Sequence, residues 1–257
     1  MSPEYVGGHD LLAGKVVVVT AAAGAGIGAA VAKRALEEGA KAVVISDTHE
    51  RRLAEAEEGL AKEFGADRVA AITCNVTDEA AVQALLDAAE PFGGVDVMVN
   101  NAGLGGTASI LEMTDEQWSL VLDITLTGTM RCIRAAGQRM KDRGGVIVNN
   151  ASIIGWRAQE GQAHYAAAKA GVMALTRCAA IDLAPHGIRV NAVSPSLAMH
   201  PFLEKVTSPE LLEELKGREA FKRAAEPWEV ANVMVFLASD YSSYMTGEVV
   251  SVSSQHA

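Results

Sequence analysis

Cysteine, proline, aromatic side chains and positive charge are all scarce in this chain. Its 257 residues include 3 Cys and 7 Pro, 5% are aromatic, and 22 Lys plus Arg stand against 32 Asp plus Glu. Cys74, Cys132 and Cys178 are an odd number at wide spacing, which excludes a disulfide framework and the paired spacing of a zinc site. Each lies in an apolar segment, so buried free thiols in a reducing cytosol are expected, and no metal. The net charge of −10, without a cluster of Lys or Arg, excludes nucleic acid as a partner and favours a small molecule. The longest uncharged run, 16–32, is broken by Gly24, Gly26 and Gly28 and is mostly alanine after Thr20, so no membrane span is expected. Residues 1–10 lack the basic-then-apolar order of a signal peptide, and a cytoplasmic location follows as the expectation.

What is present is a well-packed globular composition, 49% apolar and 21% charged, with 24 Gly. Short apolar runs rich in β-branched residues recur at 16–19, 42–45, 69–72, 95–99, 146–148, 189–193 and 249–252. Runs this continuous suit strands buried on both faces, as in a parallel sheet covered by helices. Between them stand helix signals: Thr114 with Gln117 at N3 forms a capping box, and Ser208-Pro209 places an N-cap before proline at N1. No linker, repeat or low-complexity tract divides the chain. The expected fold is α/β, a single doubly wound Rossmann domain over 1–257 with a seven-stranded parallel sheet and an N-terminal extension at 1–11. Its ligand belongs beyond the carboxyl ends of the strands.

Immediately after the first run comes Thr20-Ala21-Ala22-Ala23-Gly24-Ala25-Gly26-Ile27-Gly28, followed by a helical pattern. Glycines at a strand-to-helix turn let backbone N–H groups and the positive helix end approach a pyrophosphate. The same glycines also serve a tight turn and close helix packing on their own. Asp47, 19 residues beyond Gly28 at the end of the second run, adds a carboxylate that can accept hydrogen bonds from an adenosine ribose and repel a 2′-phosphate. NAD is therefore the expected cofactor over NADP, although Arg51 and Arg52, which also suit a solvated helix face, lie close by.

Further along stand Ser152 and Tyr165-Ala166-Ala167-Ala168-Lys169 in a segment of helical composition, so that Tyr165 and Lys169 share one helix face. A tyrosine must be brought down by about 3 units, roughly 4 kcal/mol, to serve as acid and base at neutral pH. An ammonium about 4 Å away at an effective dielectric of about 20 supplies that amount. A serine hydroxyl beside the phenol can bond a substrate carbonyl and the oxyanion that develops on it. Alone, the Tyr-Lys spacing fits an ordinary helix face; joined to the glycine loop, Asp47 and Ser152, it points to a hydride-transfer site. Phosphoryl transfer is excluded for want of a G-x-x-x-x-G-K-[ST] loop.

In these motifs and their order the sequence resembles the short-chain dehydrogenases/reductases, from about Leu12 to the C-terminus. Thr20 to Gly28, Asn100-Asn101-Ala102-Gly103, Ser152, Tyr165 with Lys169, Asn191 and Pro195 carry the resemblance. It implies a Rossmann domain, a homotetramer, Tyr165 as proton donor and acceptor, Lys169 on the nicotinamide ribose and against the phenol, and Ser152 on the substrate oxygen. It further implies cofactor contacts at Gly24, Gly26, Ile27, Gly28, Asp47, Asn75, Val76, Pro195 and Ala198, with Asn101, Ala102 and Gly103 on the adenosine side. Several positions depart from the family pattern: Ala21 for a glycine, Asn75 for an aspartate, Thr125 for the asparagine of the proton relay, Ser196 for a glycine, His200 for a threonine. The ending Ser253-Ser254-Gln255-His256-Ala257 replaces a glycine-rich one.

For Thr125, a backbone carbonyl could hold the relay water instead. Ile154, Trp156 and His200 are candidate substrate contacts, with Arg157 near the pocket mouth for an anionic group, and 197–206 resembles the family's substrate lid. The chain is similar to 3-oxoacyl reductase-type members. Around 149–157, 226–229 and the C-terminus it is similar to actinobacterial members linked to steroid-ring degradation, which act on a hydroxy- or keto-indene-carboxyl-CoA. The implied function is interconversion of a secondary alcohol and a ketone, on an acyl-CoA-type or steroid-derived thioester. The competing readings are a 3-oxoacyl-[acyl-carrier-protein] reductase and a catalytically silent nucleotide-binding oligomer.

Overall fold

The computed structural model describes residues 4–199 and 208–255. All seven expected runs are strands: β1 (Val16–Val19), β2 (Ala42–Asp47), β3 (Val69–Thr73), β4 (Val97–Asn100), β5 (Gly145–Asn150), β6 (Ile188–Pro195) and β7 (Val249–Val252). They form one sheet in the order β3-β2-β1-β4-β5-β6-β7 with every pairing parallel. The order reverses between β1 and β4, and the cleft beyond their carboxyl ends is where such a sheet takes its ligand. β5 runs further than its apolar stretch because the polar Asn149 and Asn150 pair in register with Ala192 and Val193, and β6 because Ser194 and Pro195 pair with Ser251 and Val252.

The helices are α1 (Ile27–Glu37), α2 (Glu50–Phe64), α3 (Glu79–Asp87), α4 (Asp115–Leu122), α5 (Gly128–Met140), α6 (Ala163–Leu183), α7 (Pro209–Arg218) and α8 (Pro227–Ala238). Alternate strand residues enter two separate cores. Val17, Val19, Ile45, Val99, Val148 and Val193 pack with α1 and α8, whereas Val18, Val44, Met98, Ile147 and Val190 pack with α3, α5 and α6. Each such side chain, fully buried, contributes about 1.5–3 kcal/mol, so strand parity decides which helix layer a residue holds. The capping box at Thr114 and the Ser208 cap before Pro209 both form.

The N-terminal extension folds over α1 rather than standing apart. Arg34 and Glu38, both almost fully buried, pair at 2.7 Å. The Glu38 carboxylate accepts from the His9 and Leu11 amides at 2.7 and 3.1 Å, and Tyr5 packs edge-on against Trp228 of α8. One cysteine corrects the sequence expectation. Cys74 and Cys132 are buried, and burial pushes the Cys74 thiol up to about 11, but Cys178 is exposed. It lies on the outward side of α6 together with Ala167, Ala170, Ala174 and Ile181.

Candidate active site

The glycine loop leaves β1 at Thr20, whose hydroxyl accepts the Asn101 and Ala102 amides, each at 3.0 Å. That ties the end of β1 to the end of β4. Ala21, where the family has glycine, adopts a left-handed backbone with φ 51°, and its carbonyl accepts from the Asn101 side-chain amide at 3.0 Å. A β-carbon in that region is strained, by roughly 1–2 kcal/mol, so the loop holds its shape against a local preference. Gly28 has the opposite need: a Cβ there would sit 2.4 Å from the Ala21 carbonyl oxygen and 2.6 Å from the Asn101 amide nitrogen. Gly24 and Gly26 border open space, where a Cβ on either would meet nothing within 4 Å, and Gly26 is the N-cap of α1. The first amides of α1 lack intrahelical partners and face this space, which suits a pyrophosphate. Ile27 opens α1 beside it.

At the other end of the cleft wall, Asp47 closes β2 and accepts the His49 amide at 3.0 Å. Arg51 is exposed and pairs with Glu55 at 3.3 Å, a solvated helix face, and Arg52 is exposed as well. Asn75 spends its side-chain oxygen on the Thr77 amide at 3.1 Å, and the Val76 side chain is in the core. Pro195 ends β6, and Ala198 bridges to Ala225.

Ser152 follows β5 directly and starts a 3₁₀ turn, Ile153–Gly155, its hydroxyl accepting the Ile154 amide at 3.3 Å. The phenol of Tyr165, in the first turn of α6, meets the Ser152 hydroxyl. Lys169, one turn further, lies with its ammonium 5.6 Å from the Tyr165 ring centre and donates to the Asn150 carbonyl at 2.5 Å. All three expected residues thus converge. Their electrostatics differ from the sequence expectation that lysine brings the phenol down. Burial pushes the phenol up, and the opposing pull is its hydrogen bond to Ser152. Lys169, 3% exposed, is itself brought down to about 8 by burial. The reason is burial, which disfavours the charged form of each group.

Gly103 stands beside the lysine: a Cβ there would be 3.4 Å from the Lys169 nitrogen. Asn101 uses its amide as a clamp: it donates to the Thr20 and Ala21 carbonyls at 3.2 and 3.0 Å and accepts from Asn150 at 2.9 Å. Thr125 lies in a π-helical turn, Asp123–Thr127, where its hydroxyl exchanges hydrogen bonds with the Leu104 backbone. Its carbonyl accepts from the Thr129 hydroxyl at 2.8 Å.

On the substrate side Ile154 is half-buried and Trp156 is 51% exposed, while His200 and the rest of 200–207 lie outside the described residues. Sequence reasoning missed Glu219. It is 1% exposed, and burial, which would raise its carboxyl, is outweighed by hydrogen bonds from Ser254, Gln255, Ser196 and Leu197 that hold it low. Gln255 donates to Glu219 at 2.8 Å and accepts from Arg157 at 2.6 Å. The C-terminal tail therefore joins the foot of the 197–219 segment to the turn after Ser152. The unusual ending in place of glycines was the available signal.

A sequence profile described as enoyl-(acyl carrier protein) reductase matches residues 21–254. The chain belongs to the short-chain dehydrogenases/reductases. It is 60% identical over 259 residues to the (5R,7aS)-5-hydroxy-7a-methyl-1-oxo-2,3,5,6,7,7a-hexahydro-1H-indene-carboxyl-CoA reductase of Mycobacterium tuberculosis, spanning 100% of this chain and 98% of that protein. The 3-oxoacyl-[acyl-carrier-protein] reductase of Staphylococcus aureus is 38% identical over 241 residues, 93% of this chain and 96% of the relative. A crystal structure of a short chain dehydrogenase from Mycobacterium smegmatis superimposes with a TM-score of 0.88 at 58% identity, covering 100% of this chain and 99% of that one. As a short-chain dehydrogenase/reductase the chain is an oxidoreductase using a nicotinamide dinucleotide, and it interconverts a secondary alcohol and a ketone by hydride transfer. The open space over Gly24 and Gly26 at the start of α1 fits that cofactor's pyrophosphate. Among the described residues no helix is long and apolar enough to cross a membrane.

Proposed function

We propose that this enzyme is an NAD(H)-dependent reductase or dehydrogenase of a hydroxy or keto group on a steroid-derived, ring-bearing CoA thioester. The observation that carries the chemistry is the meeting of the Ser152 and Tyr165 hydroxyls with Lys169 one helical turn away. The bound nicotinamide supplies or takes the hydride. In the reducing direction Ser152 donates a hydrogen bond to the ketone oxygen, and Tyr165 gives its proton to that oxygen as charge develops on it. In the oxidising direction the phenolate takes the hydroxyl proton. Lys169 would hold the nicotinamide ribose, and its positive charge would favour the phenolate.

Asp47 at the end of β2 supports NAD over NADP, and the engagement of Arg51 with Glu55 leaves that guanidinium directed along the helix surface. The substrate class is supported by the identity to the indene-carboxyl-CoA reductase over the whole chain, well above that to the 3-oxoacyl reductase. A cytoplasmic homotetramer is part of the same proposal. The outward side of α6, with Ala167, Ala170 and Ala174, permits close helix contact with a second copy, and Trp118 and Leu120 of α4 are exposed beside it. Absorbance of NADH at steady state, over a panel of hydroxy-indene-carboxyl-CoA, β-hydroxyacyl-CoA and acyl-carrier-protein substrates, tests the assignment. The expected result is a kcat/KM highest for the ring-bearing CoA thioester; a higher value for straight-chain acyl-carrier-protein substrates overturns it.

A further inference from the structure

Asn150 is the last residue of β5 and shares its sheet face with Val148, on the α1 side. Its side-chain amide donates to Asn101 at 2.9 Å, and Asn101 in turn holds the carbonyls of Thr20 and Ala21, the start of the glycine loop. Its main-chain carbonyl accepts the ammonium of Lys169, which reaches it from α6 on the opposite face of the sheet. One residue is thus bonded on one side to the loop that would cradle the pyrophosphate and on the other to the lysine beside the phenol. Asn149, its neighbour, does nothing similar: it bonds Asn100 and Thr176 within the sheet and α6. The Asn150 side-chain oxygen is buried.

We propose that Asn150 is a positioning residue that couples the dinucleotide loop to Lys169, so that occupancy of the loop and placement of the ammonium are set together. Resting on the assignment of Lys169 above, it acts through its two neighbours and touches neither reacting atom. Coupling of this kind is reciprocal: whatever loosens the loop loosens the lysine, and the reverse.

The test uses the full chain and its Asn150→Leu and Asn150→Ser variants, with NADH affinity read from fluorescence and the pH profile of kcat/KM read in alcohol oxidation. Leu keeps the volume and the main-chain carbonyl and deletes the amide; Ser retains one donor. Asn150→Leu is expected to weaken NADH binding by about fivefold, the loss of one neutral hydrogen bond. It is also expected to move the acid limb of the profile up by about half a unit, because a less fixed ammonium favours the phenolate less. Asn150→Ser is expected to fall between Leu and wild type in both readings. A change in NADH affinity without a shifted limb, a shifted limb without a change in affinity, or neither, overturns the coupling. Should Asn150→Leu not fold, the same criteria apply to Asn150→Ser. A wild-type chain that fails to bind NADH or to turn over would instead bring down the proposed function. Variants indistinguishable from an active wild type bring down this inference alone.

Discussion

At the glycine-loop end of the site, Thr20 follows β1, Asp47 closes β2, Asn101 follows β4, and Gly26 and Gly28 stand at the start of α1. At the substrate end a 3₁₀ turn follows Ser152, and Leu197, Glu219 and Gln255 are joined by hydrogen bonds around the Glu219 carboxylate. The first end is anchored by backbone registers that continue into two buried cores. The second is anchored by side-chain hydrogen bonds around one buried carboxylate. Substitutions at the first should therefore act on cofactor affinity and stability, and those at the second on substrate KM.

The largest effect is expected where the two ends meet. Lys169→Met should lower turnover by at least about 100-fold, in the range for a removed acid–base partner. It should also change the pH dependence of stability. Burial holds the lysine near 8, below its unfolded 10.5, so between those values the unfolded chain binds more protons and wild-type stability rises with pH. The methionine variant, lacking this group, should lose ground to wild type by up to about 3 kcal/mol as pH rises from 8 to 10.5. Urea unfolding at several pH values checks this; parallel pH dependences would contradict it.

Gly28→Ala comes next. Its Cβ would meet the Ala21 carbonyl and the Asn101 amide at 2.4 and 2.6 Å. A strain of roughly 1–3 kcal/mol should weaken NADH binding by about 5- to 100-fold, measured by fluorescence titration. Asp47→Ala should lower the NADH-over-NADPH affinity ratio by about tenfold, the loss of ribose hydrogen bonds. An unchanged ratio would remove the case for NAD. The smallest effect belongs to the substrate end: Gln255→Ala should raise substrate KM by about threefold, with NADH affinity within error of wild type. A loss of NADH affinity in that variant would erase the contrast between the two ends.

The strands were legible because continuous Val and Ile runs leave little choice but a doubly covered parallel sheet, and Ser152, Tyr165 and Lys169 because their spacing matches a strand end and one helical turn. What escaped reading was the use of each polar group. Asn101 clamps the loop, a role its sequence position does not reveal, because its amide finds two carbonyls one strand away in space and about 80 residues away in sequence. The direction in which Tyr165 and Lys169 move depends on how deeply each is buried, which no spacing encodes. Glu219 and Gln255 lie 36 residues apart, and their contact follows from the return of β7 to the edge beside β6.

The central claim is that the Tyr165 phenol carries the proton while the dinucleotide sits in the neighbouring cleft. Single-turnover hydride transfer in Tyr165→Phe, with NADH affinity measured on the same sample, tests it most directly. The account predicts unchanged NADH binding and a transfer rate down by about 10²–10⁴-fold. A rate equal to wild type with NADH bound would contradict it.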